Sequence, residues 1–212
     1  MIPEVVNVPE ERILMRTCRC LLKTNSMKKL NGFMVNIQNK SQIPENEPSA
    51  PEWFDASLFP SPDEDISLTE QEWQERLSGS EYQVQRSEGT ERPFDNEYHA
   101  TETEGVYLCR GCSNPLFSSQ AKFRSSSGWP SFFAPLSSEH VGTKTDFKLL
   151  MPRTEVHCAR CGGHLGHVFD DGPDPTGLRY CMNSSSLRLI DRDSHRKIAD
   201  KREDELPFRL NR

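Results

Sequence analysis

Cys181 lies in the stretch Leu178-Arg179-Tyr180-Cys181-Met182-Asn183. Read as an extended strand, it puts Arg179, Cys181 and Asn183 on one face and Leu178, Tyr180 and Met182 on the other. One face is thus polar and reactive. In the last two thirds of the chain, Cys181 alone among the cysteines stands outside a C-x-x-C pair. An unpaired cysteine is ordinarily a small buried hydrophobe. Here a guanidinium two residues away can stabilise a thiolate and the Asn183 amide can donate to a bound oxygen, so nucleophilic chemistry competes with core packing for this residue.

Cys109-Arg-Gly-Cys112 and Cys158-Ala-Arg-Cys161 form two C-x-x-C pairs, each with glycine inside or just after the turn. Together they offer four thiolates, a complete tetrahedral shell for a structural Zn²⁺ with no open position for substrate. About 45 residues separate the pairs, more than the roughly 15–20 of an ordinary zinc ribbon, so a shared metal would clamp distant parts of the chain. Two redox-active pairs or two disulfides are the rival readings.

Two further stretches carry chemistry. In Gly128-Trp129-Pro130-Ser131 the residue before proline is held extended, and the glycine allows a tight backbone that presents the indole; a buried core tryptophan is the plainer alternative. His164-Leu165-Gly166-His167-Val168-Phe169-Asp170-Asp171 sets two histidines and an acidic pair before a turn. Four cysteines already saturate a zinc ion, so proton donation is the better use of these histidines.

The elements that must position these residues are short. Thr69 with Glu72 reads as a capping box for a first helix carrying Trp73 and Leu77, and Ser80 with Gln83 repeats the signal for a second that Gly89 can close. After Gly89 the helical period gives way to brief apolar alternations broken by Gly, Pro, Ser and Asn, the pattern of a mainly β domain, a small barrel or sandwich of antiparallel strands preceded by short helices.

Only 34% of residues are hydrophobic and mean hydropathy is −0.72, which points to disorder at the ends. Residues 1–66 read as a basic leader followed by a Pro- and acid-rich linker; from Ser41 to Ile66 there are five prolines, seven acidic residues and no Lys or Arg. Residues 67–190 form the domain, and 191–212 a charged, solvated tail. A net charge of −6 argues against nucleic acid or an anionic membrane as partner. No apolar run has the length of a membrane span. Seven cysteines in this pattern suit a cytoplasmic metal and thiol set. The basic residues from Arg12 to Lys29 leave a mitochondrial leader as the alternative, against which Glu4, Glu10 and Glu11 count.

Together, Thr90-Glu-Arg-Pro-Phe-Asp-Asn-Glu-Tyr98, both knuckles, Ser127-Gly-Trp-Pro-Ser-Phe-Phe133 and the run from Gly162 to Leu189 resemble, in order, the methionine sulfoxide reductase B family. The resemblance covers Thr69 to Ile190. It implies two antiparallel β-sheets and a structural zinc held by Cys109, Cys112, Cys158 and Cys161. Cys181 would be the nucleophile that reduces methionine R-sulfoxide, free or in oxidised proteins, and becomes a sulfenic acid. His167 would be the acid that protonates the sulfoxide oxygen. Trp129 and Phe169 would hold the methyl group, with His164, Asp171, Arg179 and Asn183 on the polar side.

The chain departs from the family at Ser127, where many members carry a recycling cysteine. The second thiol must then come from a thioredoxin-like or small-molecule reductant, or from Cys18 or Cys20 in the leader.

Overall fold

A computed structural model describes residues 48–64, 66–148 and 151–201. The leader with Cys18 and Cys20, and the end of the charged tail, lie outside the described residues. Thr69 opens α1 (Glu70–Arg76) through the expected capping box: its hydroxyl accepts from the Glu72 N–H while the Glu72 carboxylate accepts from its own. The second cap falls elsewhere. Ser78 and Glu81, not Ser80 and Gln83, close the box of α2 (Gly79–Gln85); an ionised carboxylate in the first turn is favoured by the helix dipole as well as by the cap hydrogen bond, which a neutral amide cannot match. α2 ends at Gln85, ahead of Gly89, whose N–H reaches back to the Gln83 carbonyl at 2.9 Å.

Nine strands follow among the described residues: β1 (Val106–Cys109), β2 (Pro115–Ser118), β3 (Lys122–Phe123), β4 (Ser131–Phe132), β5 (Val141–Asp146), β6 (Arg153–Cys158), β7 (His164–Phe169), β8 (Arg179–Met182) and β9 (Leu187–Ile190). They build two sheets, one in the order β2-β1-β9 and one in the order β3-β4-β8-β7-β6-β5. Every pairing is antiparallel, as the mainly β pattern and the family resemblance led one to expect. Side chains from both sheets meet in one core: Phe117 of β2 stacks on Phe132 of β4 with ring centroids 4.5 Å apart, and Tyr107 of β1 meets the same ring edge-on at 5.0 Å. Trp73 and Leu77 bring α1 into that core.

Strand β1 is buried on both faces, and this corrects the expectation of a solvated linker and tail. Tyr107 and Cys109 point into the main core, whereas Val106 and Leu108 join a second cluster with Ile190, Phe54, Phe59 and Ile198. Phe54 and Phe59 belong to the supposed linker, and Ile198 to the supposed tail. Asp191 caps a helix there, α3 (Arg192–Ala199), on which His195 and Ile198, three residues apart, are buried. His195 Nε2 accepts the Asp55 N–H at 2.9 Å, joining the two segments. A few large apolar or aromatic side chains among many charged ones suffice to cover the outer face of a three-stranded sheet, each contributing about 1.5–3 kcal/mol.

Candidate active site and four-cysteine centre

Cross-strand register assembles the site. Ser131 pairs with Cys181, Cys181 with His167, and His167 with Glu155, so four strands contribute one polar file across the six-stranded sheet. The adjacent file holds Asp146 opposite Arg153 and Phe169 opposite Arg179. Strict alternation would put His164 and His167 on opposite faces. The register shift between β6 and β7 leaves Leu165 as an extra residue and restores the parity, and the two imidazoles lie 5.5 Å apart.

Cys181 is partly exposed, while its neighbours Tyr180 and Met182 are buried, so the two faces of β8 divide as the alternation requires. Its Sγ lies 3.6 Å from the Ser127 hydroxyl. Ser127 belongs to a knot of hydroxyls in which Ser125 Oγ is 2.7 Å from both Ser127 Oγ and Ser131 Oγ. Gly128 turns with φ +85°, a left-handed conformation that favours glycine, and Trp129 follows half-buried, its Nε1 donating to the Glu91 carbonyl at 3.2 Å.

The charged neighbours are all paired. Arg179 grips Asp171 with Nε and Nη2, both at 2.8 Å, and its guanidinium lies 4.6 Å over the Phe169 ring. The Asp171 carboxylate beside it raises the Arg179 pKa further, and the guanidinium in turn depresses that of Asp171. His167 Nε2 is 2.8 Å from Asp146 Oδ2; burial lowers the pKa of this imidazole, and the carboxylate works against that shift. His164 is sealed from solvent, its Nδ1 3.0 Å from a Glu155 oxygen. Asn183 is also buried: its Nδ2 donates to the Leu165 carbonyl at 3.1 Å and its Oδ1 accepts the Glu91 N–H at 3.2 Å.

The structure thus brings Cys181, His167, His164, Phe169 and Arg179 onto one sheet face. Trp129 arrives on the turn leading into β4. Asp171 stands at the rim and Asn183 braces the end of β8 from within. Sequence reasoning gave no role to three residues. Asp146 and Glu155 are the carboxylate partners of the two histidines, and only strand register reveals them. Glu91 ties the Trp129 turn to the loop after β8, accepting the Ser185 N–H at 2.9 Å and that of Ser184; its signal was its place in the Thr90–Tyr98 stretch.

The four knuckle cysteines converge as well. All are buried, and their sulfurs lie within 4.8 Å of one another, with Cys109–Cys161 at 3.6 Å and Cys112–Cys158 at 3.5 Å. None is in a disulfide. The edge of a tetrahedron with about 2.3 Å metal–sulfur bonds is about 3.8 Å, so this spacing fits a metal ion. Amides line the cluster: Gln85 Nε2 donates to Cys109 Sγ at 3.6 Å and Asn114 Nδ2 to Cys158 Sγ at 3.5 Å. Hydrogen bonds from Cys112, Cys158 and Cys161 hold the Cys109 thiol far below its ordinary pKa, while Cys112 is pushed up by Cys109. Four thiolates cannot share so small a volume without a cation.

With that geometry in place, the comparisons with known proteins are specific. Residues 77–191 match the SelR domain family. The peptide methionine sulfoxide reductase MsrB of Hahella chejuensis is 49% identical over 135 residues, which span 64% of this chain and 97% of that protein. That of Pseudomonas savastanoi pv. phaseolicola is 55% identical over 127 residues, 60% of this chain and 97% of its own. The chloroplastic peptide methionine sulfoxide reductase B1 of Arabidopsis thaliana is 44% identical over 173 residues, 81% of this chain and 80% of that protein. A SelR match across more than half of the chain, together with relatives of 49% and 55% identity matched over 97% of their own length, makes the chain a member of the methionine sulfoxide reductase B family.

Proposed function

We propose that the chain reduces the R epimer of methionine sulfoxide, free or protein-bound, to methionine at the expense of thiols, and that Cys181 is its nucleophile. The observation that carries this reading is the pairing of Cys181 with His167 across β7 and β8 in a chain of this family. The Cys181 thiolate gives two electrons to the sulfoxide sulfur. The S–O bond of the substrate breaks as the oxygen, protonated by His167, bonds to the Cys181 sulfur, and methionine leaves with Cys181 as sulfenic acid. Two further thiols then return Cys181 to its reduced state, releasing water and a disulfide. A thioredoxin-like protein or a small-molecule thiol is the proposed donor, because Ser127 stands beside Cys181 where a recycling cysteine would be needed.

Trp129 and Phe169 are the proposed apolar walls for the methyl group, with the polar file opposite them receiving the oxygen. The other epimer would direct its oxygen at the rings, which is the basis of selectivity. Asp171 fixes Arg179 and Asn183 fixes β8, so both act by positioning. The proposed occupant of Cys109, Cys112, Cys158 and Cys161 is one structural Zn²⁺, which ties the β1–β2 turn to the β6–β7 turn and takes no part in the redox step. The proposed boundaries are a catalytic domain from 67 to 190, covered by residues 48–59 and by α3. The proposed location is cytoplasmic, with mitochondrial as the alternative, because the four knuckle cysteines are grouped for a metal ion and not as disulfides.

The test is turnover of separated R and S sulfoxides with thioredoxin and with dithiothreitol, on the wild type and on Cys181→Ser. A serine hydroxyl is protonated at neutral pH and attacks sulfur poorly. R-sulfoxide reduction by Cys181→Ser at near the wild-type rate would overturn the assignment.

A further inference from the structure

Asp146 sits at the end of β5, on the far side of β6 and β7 from Cys181, yet its carboxylate is almost sealed from solvent and takes three hydrogen bonds. The Lys148 N–H donates to Oδ1 at 2.8 Å. Arg153 Nη2 at 2.6 Å and His167 Nε2 at 2.8 Å share Oδ2. The Lys148 N–H first, and His167 next, hold the carboxyl well below the usual carboxylate range, so Asp146 is ionised and can only accept. Nε2 of His167 must therefore carry hydrogen, which leaves Nδ1 as the nitrogen with a free valence.

We propose that Asp146 is the positioning residue for His167: it locks the imidazole in the Nε2–H tautomer, so that Nδ1 is the atom that delivers the proton to the sulfoxide oxygen. The inference deepens the reaction proposed above and rests on it. Three features make the arrangement specific. Arg153 and the Lys148 amide fix the carboxylate itself, so His167 is oriented by a group that cannot swing away. Cross-strand pairing sets His167 opposite Cys181 on the same sheet face, with Nε2 turned toward Asp146 and Nδ1 the ring nitrogen that Asp146 leaves free.

The third feature is charge. Burial disfavours the imidazolium, and the nearby cation Arg153 and neighbouring His164 add to that, so the acid form depends on the Asp146 counter-charge. The charged or titratable groups around His167 are Asp146 from β5, Arg153 and Glu155 from β6, His164 on its own strand, and Arg179 and Cys181 from β8. Glu155 pairs with His164 and Arg179 with Asp171. Among these groups Asp146 alone both touches the ring and carries the sign that favours its protonation.

Asp146→Ala tests this in the full-length chain. Arg153 and His167 share Oδ2, so an amide oxygen at that position would still accept from Nε2, whereas alanine removes both the acceptor and the charge and leaves nothing to hold the tautomer. Ring nitrogen shifts of His167, read by ¹⁵N NMR, should report Nε2–H alone in the wild type and a mixture of the two neutral tautomers in the variant. Single-turnover formation of methionine from an R-sulfoxide peptide should slow by about 10²-fold, the scale of a mispositioned general acid. The loss of rate at alkaline pH should begin at lower pH, because the protonated imidazole has lost its counter-charge. Asp146→Glu, which keeps the acceptor, should recover part of the rate.

An Nδ1–H tautomer in the wild type overturns the proposal, whether or not the variants fold. So does a folded Asp146→Ala variant that keeps the Nε2–H tautomer alone, whatever its rate. A wild type with the Nε2–H tautomer but no sulfenic acid on Cys181 would instead overturn the underlying reaction, and with it this role for Asp146.

Discussion

Gly166 lies between His164 and His167 on β7, opposite Met182 of β8, where the two backbones leave no room for a side chain. A Cβ added there would stand 2.1 Å from the Cys181 carbonyl oxygen and 2.9 Å from the Met182 Cα. Both obstacles are backbone, so no side chain can rotate away to make room. Reaching even 3.0 Å, below which real Cβ contacts essentially never fall, requires the two strands to part by about 0.9 Å at the residue that carries the reacting sulfur. Gly166→Ala should thus cost about 1–3 kcal/mol of stability, the range for overpacking a well-filled interior. In a domain of this size that lowers the thermal midpoint by about 2–4 °C per kcal/mol.

The effect on rate should be larger than the effect on stability. A displacement near 1 Å between reacting groups costs about 10²-fold, and the parting falls on the Cys181–His167 pair. Thermal unfolding followed by circular dichroism measures the first effect, and turnover of an R-sulfoxide peptide well below the midpoint measures the second. Gly79→Ala serves as the control: nothing lies within 4 Å of its Cβ at the start of α2, so stability should hold or rise and activity should not change. A Gly166→Ala protein with wild-type midpoint and turnover would refute the claim that strand register at this point sets the site.

The remaining predictions concern the metal, the recycling thiol and the outer cover. Elemental analysis should find one zinc per chain, and Cys161→Ala should give a metal-free protein that is insoluble or unfolds at much lower temperature, because binding free energy at such a site is folding free energy; a soluble variant with an unchanged midpoint would count against the metal. Ser127→Cys puts a thiol where the Ser127 hydroxyl now lies 3.6 Å from Cys181. One equivalent of sulfoxide without reductant should then yield, by mass spectrometry, a disulfide between the introduced thiol and Cys181, where the wild type yields a trappable sulfenic acid. A wild-type disulfide from Cys181 to Cys18 or Cys20 would show that the leader supplies the second thiol. Phe59→Ala should cost about 3–5 kcal/mol of stability, with turnover of the remaining folded protein unchanged because Phe59 covers the three-stranded sheet and the site lies on the other sheet; a surface-like loss below about 0.5 kcal/mol would restore the solvated linker.

What the sequence made legible followed from local rules. The Thr69 cap, the polar and apolar faces of β8 and the C-x-x-C knuckles each depend on residues within a turn or a strand of one another, so pattern alone exposes them. The second cap was misplaced by two residues because Ser78-Gly-Ser80 offers two hydroxyls, and only the stronger carboxylate partner, Glu81, decides between them. The cover formed by Phe54, Phe59 and Ile198 was hidden for a different reason. Those residues sit among prolines and charges and lack a sustained period, and their burial depends on a sheet face assembled from β1 and β9, which lie far from residues 54–59 in sequence.

The partners of the two histidines were hidden for the most general reason. His164 and His167 are three apart, so on a regular strand they would face opposite ways, and it takes the extra residue Leu165 to set them side by side. Once the bulge fixes that parity, the antiparallel register also determines which carboxylates they meet: Glu155 comes from the neighbouring strand and Asp146 from the edge strand beyond it. A one-residue slip of β6 against β7 would send Glu155 to the opposite face, leaving the buried His164 without the carboxylate now 3.0 Å from its Nδ1. The bulge, the two carboxylates and the close approach at Gly166 therefore form one device. Each is uninformative as a sequence feature, and together they hold two imidazoles against the strand that carries Cys181.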